Sequence, residues 1–256
     1  GTARSGSAGG SGAMARPGTS PRTAGDIVRT EVLPEPGDVA IRAAERIAHI
    51  AREAVTQRGR CALAFSGGAT PWRAFRALAG EDVPWDRVHL FQVDERVAHS
   101  GDPERNYFHL REALIDRIPI PSANVHPMPV EEENLDEGAR RYEATLRQIA
   151  GVPPVLDLVQ LGLGEDGHTA SLFPGDTALQ VITADVAVSG YYNGRRRMTL
   201  TFPAIDRAHC ILWLVTGSGK SEALERLRAG DRSIPAGRVR SDRAVLLADT
   251  AATGGR

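Results

Sequence analysis

Short apolar runs recur at residues 61–65, 88–93, 155–161 and 210–215, each bounded by glycine, proline or polar residues, and each reads as a buried strand. Shorter strands are predicted at 124–126, 180–188 and 197–202, with Tyr-Tyr-Asn-Gly at 191–194 turning the chain between the last two. Between these runs the apolar period lengthens. Ile41, Ala44, Ile47, Ala48, Ala51, Ala54 and Val55 fall on one face of a predicted helix that Asp38 can cap and Gly59 can end. Further helices are predicted from Pro71 to Leu78, around 107–115, over 135–149 and up to Leu227. Strands alternating with helices predict an α/β fold: a Rossmann-like, mostly parallel sheet flanked by helices, with a small appended subdomain as an option.

In such a sheet ligands collect at the C-terminal ends of the strands, so the turns after the strands carry the chemistry. The strand at 155–161 runs into a turn with glycines at 162, 164 and 167. These glycines let several N–H groups converge on one point, a concavity suited to an anion or an oxyanion. Asp166 and His168 sit two apart on the turn, so the carboxylate can fix the imidazole tautomer while the other ring nitrogen takes a proton from water. The same glycines match G-x-G-x-x-G, but Pro174-Gly175 ends the following segment where a dinucleotide site needs a long helix. A structural histidine in a tight turn is the plainer alternative.

Three other strand ends carry polar groups. Ser-Gly-Gly-Ala-Thr-Pro at 66–71 offers free amides and two hydroxyls at a helix start, an anion site whose plain alternative is an ordinary turn. Asp94, Glu95 and Arg96 end the strand at 88–93; for Glu95 a surface ion cluster stays open as the alternative. Arg195, Arg196 and Arg197 bring three guanidiniums, of which strand alternation must turn at least one to solvent. Lys220 stands at a glycine-rich helix start after the last strong strand. Gly-Lys-Ser at 219–221 suggests a P-loop, but that motif needs glycine at 214, which is leucine.

Composition narrows the classes. With 256 residues and 41% hydrophobic content the chain can bury a sizeable core, and a net charge of −1 calls for neither nucleic acid nor an anionic membrane. Cys61 and Cys210 both lie in apolar runs, which argues against a disulfide framework and for a reducing, cytoplasmic setting. No apolar run is long enough for a membrane span, no H-E-x-x-H pair or other strong metal motif occurs, and no obligate protein partner is evident. Residues 1–25 are rich in Gly, Ser, Pro, Thr and Arg and read as a disordered tail or tag remnant, with 26–256 as a single catalytic domain.

Gly-Glu-Asp-Gly-His-Thr-Ala-Ser-Leu-Phe-Pro-Gly at 164–175 resembles the 6-phosphogluconolactonases, and Ser-Gly-Gly-Ala-Thr-Pro at 66–71 resembles the matching loop of both these enzymes and the related glucosamine-6-phosphate deaminases. The deaminases place a glutamate before the proline, where this chain has Phe173. Asp-Glu-Arg at 94–96 followed by Asn106-Tyr107, Arg197-x-Thr199, Gly217-x-x-Lys220, and the closing segments at 234–236 and 244–248 extend the resemblance over about residues 26–252. It implies hydrolysis of 6-phospho-D-glucono-1,5-lactone to 6-phosphogluconate in the oxidative pentose phosphate pathway, without metal or cofactor. His168 and Asp166 are then the catalytic pair, with the backbone of 164–167 holding the oxyanion. Ser66, Gly67, Gly68, Thr70, Asp94, Arg96, Gly164, Gly167, Arg197 and Lys220 are the candidates for binding phosphate and sugar. A sugar-phosphate isomerase or deaminase, a dinucleotide oxidoreductase and a non-catalytic sugar-phosphate sensor are the alternatives.

Overall fold

A computed structural model of the chain describes residues 28–255; the tail expected at 1–25 lies outside the described residues. The elements follow in the order β1 (Arg29–Leu33), α1 (Pro36–Arg58), β2 (Cys61–Phe65), α2 (Ala69–Leu78), β3 (Val88–Gln92), β4 (Asp94–Arg96), α3 (Asn106–Ala113), β5 (Val125–His126), α4 (Leu135–Ala150), β6 (Leu158–Leu161), β7 (Val186–Val188), β8 (Arg197–Leu200), α5 (Phe202–Asp206), β9 (Ile211–Val215), α6 (Ser221–Arg228) and β10 (Ala244–Asp249). Seven strands form one sheet in the order β1-β10-β9-β6-β2-β3-β5, and every neighbouring pair is parallel. A second, antiparallel sheet has the order β4-β8-β7.

The inner strands of the large sheet, β2, β6, β9 and β10, are buried on both faces, which is why they read as unbroken apolar runs. Alternate residues divide between two cores. Cys61, Leu63 and Phe65 of β2 join Leu212 and Leu214 of β9 against α1, α2 and α3. Ala62 and Ala64 join Ile211, Trp213 and Val215 on the other face, with α4, α6 and the antiparallel sheet. Each Leu, Phe or Ile fully buried in this way contributes about 1.5–3 kcal/mol. Helix α1 packs through small residues: Ala40, Ala43, Ala44, Ala48, Ala51 and Ala54 are buried around Val39 and Ile47. Ile41 is turned off that stripe and is 55% exposed. The helix begins two residues before Asp38, which lies at its third position and closes a capping box with Glu35; Gly59, at φ 74°, ends it in the left-handed conformation.

From β2 the chain builds outward to β3 and β5, then returns on the other side of β2 with β6 and β9. The turns leaving β2 and β6 therefore diverge from adjacent strands and open a crevice at the C-terminal edge of the sheet. The antiparallel sheet flanks it: Asp94, Glu95 and Arg96 pair with Thr199, Met198 and Arg197. Other boundaries differ from those the sequence predicts. Residues 177–180 form a 3₁₀ turn capped by Asp176, and only Val186–Val188 of the 180–188 stretch is strand. At its end the predicted 197–202 strand gives way to α5, because Phe202-Pro203 suits a helix's first turn.

Candidate active site

A cleft of about 390 Å³ opens where the turns after β2 and β6 separate. Its floor is the loop 66–70, tied down by Gln160 of the neighbouring strand: the Ser66 amide donates to Gln160 Oε1 at 3.1 Å and the Ser66 hydroxyl donates to the Gln160 carbonyl at 2.9 Å. A side chain at 67 would strike Asn106, since a Cβ there would lie 2.0 Å from Asn106 Oδ1. Among the described residues, the amides of Gly67, Gly68, Ala69 and Thr70 donate to no protein acceptor. They lie at the start of α2, where the helix dipole favours an anion. Across the cleft, Thr70 Oγ1 meets Thr216 Oγ1 at 2.6 Å.

The turn after β6 presents the imidazole. Asp166 Oδ1 accepts the His168 amide at 3.1 Å and lies 2.5 Å from His168 Nδ1. With Nδ1 donating, Nε2 is the nitrogen left to accept a proton in the cleft that His168 lines. Partial burial raises the affinity of Asp166 for a proton, but the hydrogen bonds from His168 and Tyr192 outweigh it and hold the carboxyl below its ordinary range. Phe173 and Tyr192 stack at 3.7 Å and 5°, and the His168 ring lies 4.9 and 5.4 Å from their centroids.

Two of the four amides of 164–167 are engaged within the turn. Gly164 N–H donates to the His168 carbonyl at 2.8 Å and Gly167 N–H to the Gly164 carbonyl at 3.0 Å. The backbone of 164–167 thus lacks two of the donors expected for an oxyanion hole. Both glycines have steric reasons to be there: a Cβ at 164 would lie 2.1 Å from His168 Nδ1, and one at 167, where φ is +82°, would lie 2.6 Å from Ile234. Gly164 lines the cleft and Gly167 does not.

Three cations line the cleft: Arg96, Arg197 and Lys220. Arg197 is only 8% exposed, its Nε is buried without a hydrogen-bond partner, and its Cζ lies 5.3 Å from the Phe173 centroid. Burial lowers its proton affinity and the nearby Asp94 carboxylate raises it. Asp94, itself 5% exposed, accepts from the Ser171 hydroxyl at 2.6 Å. Arg195 leaves the cleft to pair with Asp102 and Glu104, and Arg196 is half-buried with Nε 3.4 Å from the Ser189 carbonyl. Lys220 is the only lysine in the sequence and stands 3.9 Å from Glu165 Oε1.

Glu95 is no surface acid. Fully buried, it accepts the amides of Asn106 and Tyr107, each at 2.8 Å, the Arg96 amide at 2.7 Å and Gln92 Nε2 at 2.8 Å, bracing α3 against β4. Of the predicted residues, Ser66, Gly67, Gly68, Thr70, Asp94, Arg96, Gly164, His168, Arg197 and Lys220 line the cleft; Asp166 stands behind His168. Asn106 and Thr216 line it as well. Only their place after Asp-Glu-Arg and before Lys220 hints at them in the sequence. Among the described residues there is no group of three or more His, Cys, Asp or Glu side chains arranged for a metal, and no helix long and apolar enough to cross a membrane.

Residues 34–248 match the family model of glucosamine-6-phosphate isomerases/6-phosphogluconolactonase. The chain is similar to the 6-phosphogluconolactonase of Synechocystis, 42% identical over 181 residues that cover 69% of this chain and 75% of that one. It is also 36% identical over 205 residues to the 6-phosphogluconolactonase of Mycobacterium tuberculosis, covering 76% and 83% of the two chains. Among solved structures it superposes on the 6-phosphogluconolactonase of Thermotoga maritima with a TM-score of 0.77 at 26% identity, covering 86% of this chain and 98% of that one. A monomeric glucosamine-6-phosphate deaminase has the same fold, with a TM-score of 0.77 at 19% identity over 89% of this chain and 99% of the other.

Proposed function

Since the chain belongs to the family of glucosamine-6-phosphate isomerases and 6-phosphogluconolactonases, we propose that it acts as a lactonase, hydrolysing 6-phospho-D-glucono-1,5-lactone to 6-phosphogluconate in the oxidative pentose phosphate pathway with water activated by His168. The observation that carries the reading is the Asp166–His168 pair at 2.5 Å on the wall of a cleft lined by three cations. The curated relatives named 6-phosphogluconolactonase support the substrate. Phe173, buried and stacked on Tyr192, leaves the lactonase reading stronger than the deaminase one, which calls for a carboxylate at that position.

In this mechanism water attacks C1 of the lactone as His168 Nε2 takes its proton. The Asp166 carboxylate supports the imidazolium, as a fixed anion can do without a reorganising solvent. Collapse of the tetrahedral intermediate breaks the bond from C1 to the ring oxygen, which takes the proton back from His168. With the Gly164 and Gly167 amides engaged, the 164–167 turn keeps only its Glu165 and Asp166 amides for the developing oxyanion. Lys220, Arg96, Arg197 and the 66–70 loop bind the phosphate and sugar hydroxyls, a division suited to charge-assisted contacts with a dianion.

A pH-stat assay on freshly generated lactone, corrected for spontaneous hydrolysis, tests the activity. His168→Ala should lower kcat by roughly 10²- to 10⁴-fold with the fold intact, and Asp166→Asn by less. Turnover near the wild-type rate in His168→Ala would remove the imidazole from the mechanism.

A further inference from the structure

Behind His168 stands a side chain that the lactonase mechanism has not used. Tyr192 reaches the site from the hairpin between β7 and β8, and its hydroxyl lies 3.2 Å from Asp166 Oδ2, the oxygen that His168 does not use. The hairpin is built to hold it there. Asn193 and Gly194 both have positive φ, 50° and 77°, and the Tyr192 and Arg195 backbones bond to each other at 3.0 and 3.3 Å. Two central left-handed residues between mutually bonded ends make the type I′ turn for which Asn-Gly is favoured, a turn whose twist matches paired strands. On the far leg, Arg195 pairs with Asp102 and Glu104, fixing the hairpin to the loop before α3. On the near leg, the Tyr192 ring lies flat on Phe173 at 3.7 Å, and the guanidinium of Arg197 is 5.5 Å from its centroid.

Asp166 otherwise has freedom to turn. Its side chain is 38% exposed and that of His168 is 24% exposed, so neither is locked by packing alone. A carboxylate held through one oxygen can rotate about its last torsion and carry the imidazole with it; held through both, it cannot. We propose that Tyr192 is a positioning residue: by donating to Asp166 Oδ2 from a hairpin clamped at both legs, it fixes the plane of the carboxylate, and so the direction in which His168 Nε2 faces the cleft. Tyr192 does not touch the substrate in this scheme. It acts through Asp166, and the stack on Phe173 aims its hydroxyl.

This inference rests on His168 acting as the base, and its test separates the two. Tyr192→Phe keeps the stack and removes only the hydroxyl. It should lower kcat about 3- to 10-fold with KM within two-fold of wild type, the pattern of lost orientation at the reacting end rather than lost binding. Independently of turnover, the Nδ1 proton of His168, followed by NMR in the unliganded protein, should exchange with solvent several-fold faster in Tyr192→Phe. An unchanged exchange rate would overturn the inference even if His168 proves essential, and so would a rise in KM with kcat unaltered, which would make Tyr192 a binding residue. Faster exchange alongside normal turnover in His168→Ala would instead leave the tether standing and remove the base assignment.

Discussion

Gly164→Ala tests the geometry of the dyad with a single methyl group. The backbone at 164 is not in the left-handed region, so alanine fits its dihedrals, but a Cβ there would lie 2.1 Å from His168 Nδ1, 2.3 Å from His168 Cε1 and 2.7 Å from Asp166 Oδ1. Ordinary contact begins near 3.4 Å, so the imidazole must retreat by about 1 Å or swing out of the cleft. Either movement breaks a charge-assisted hydrogen bond of about 1.5–3 kcal/mol, and a displacement of ~1 Å at a reacting group costs on the order of 10²-fold. Both side chains are partly exposed, so the fold can release the clash towards solvent, with a stability loss of roughly 1 kcal/mol or less. The expectation is kcat reduced by about 10- to 100-fold, KM changed by less than about three-fold, and a Tm within a few degrees of wild type. Continuous lactone hydrolysis beside a thermal melt measures all three. Gly37→Ala in α1, where a Cβ meets nothing within 4 Å, serves as the control. Normal kcat with a normal melt would refute the argument, because a methyl group could then enter the space between the paired groups without disturbing catalysis.

Lys220→Ala should weaken kcat/KM by roughly 10- to 150-fold on the phosphorylated lactone, mainly through KM, and cost little on unphosphorylated gluconolactone; equal losses on both would place Lys220 at the reacting end or in the fold. Exhaustive EDTA treatment should leave hydrolysis unchanged, and loss restored by a divalent ion would contradict water activation by His168 alone. The imidazoles of His89 and His126, with Nδ1 and Nε2 3.1 Å apart, give a pH-dependent stability. Burial, then the neighbouring His89, lowers His126 to about 4. The unfolded chain takes up a proton near pH 6.5 that the folded one refuses, so the stability present above that pH is lost as pH falls towards 4. Discounted for partial exposure, the loss is roughly 1 kcal/mol, and urea unfolding at pH 7 and 4.5 should show it in the wild type but not in His126→Gln. The same slope in both proteins would clear the pair of responsibility.

What could be read from letters was what the local chain decides. The buried strands were legible because both faces are covered, leaving apolar runs such as Cys61–Phe65 and Ile211–Val215. Asp166 and His168 were legible as a pair because two residues on one turn must meet. β1 was not, because this edge strand is partly exposed and mixes Arg29, Thr30 and Glu31 with Val32 and Leu33. The stretch at 180–188 misled because its apolar residues do not mean burial: Ile182 is 75% exposed. Other features depend on tertiary placement. Glu95 turned inward because four donors from β3, β4 and α3 converge on it. The engaged amides of Gly164 and Gly167 are set by carbonyls of their own turn, and Tyr192 meets Asp166 across 26 positions of sequence.

The one lysine has a chemical consequence. Of 31 basic side chains of the Lys and Arg type, only Lys220 carries a primary amine, and it lies in the cleft. Guanidiniums keep their protons and resist acylation, whereas an amine can be acetylated, carbamylated or condensed with an aldehyde. An amine-directed reagent that would decorate the whole surface of an ordinary protein therefore meets a single ε-amino group here, beside the groups that line the cleft. Extent of labelling at Lys220 and loss of site function become one measurement, and coupling this chain through lysine to a resin or a dye would be done at the expense of the cleft.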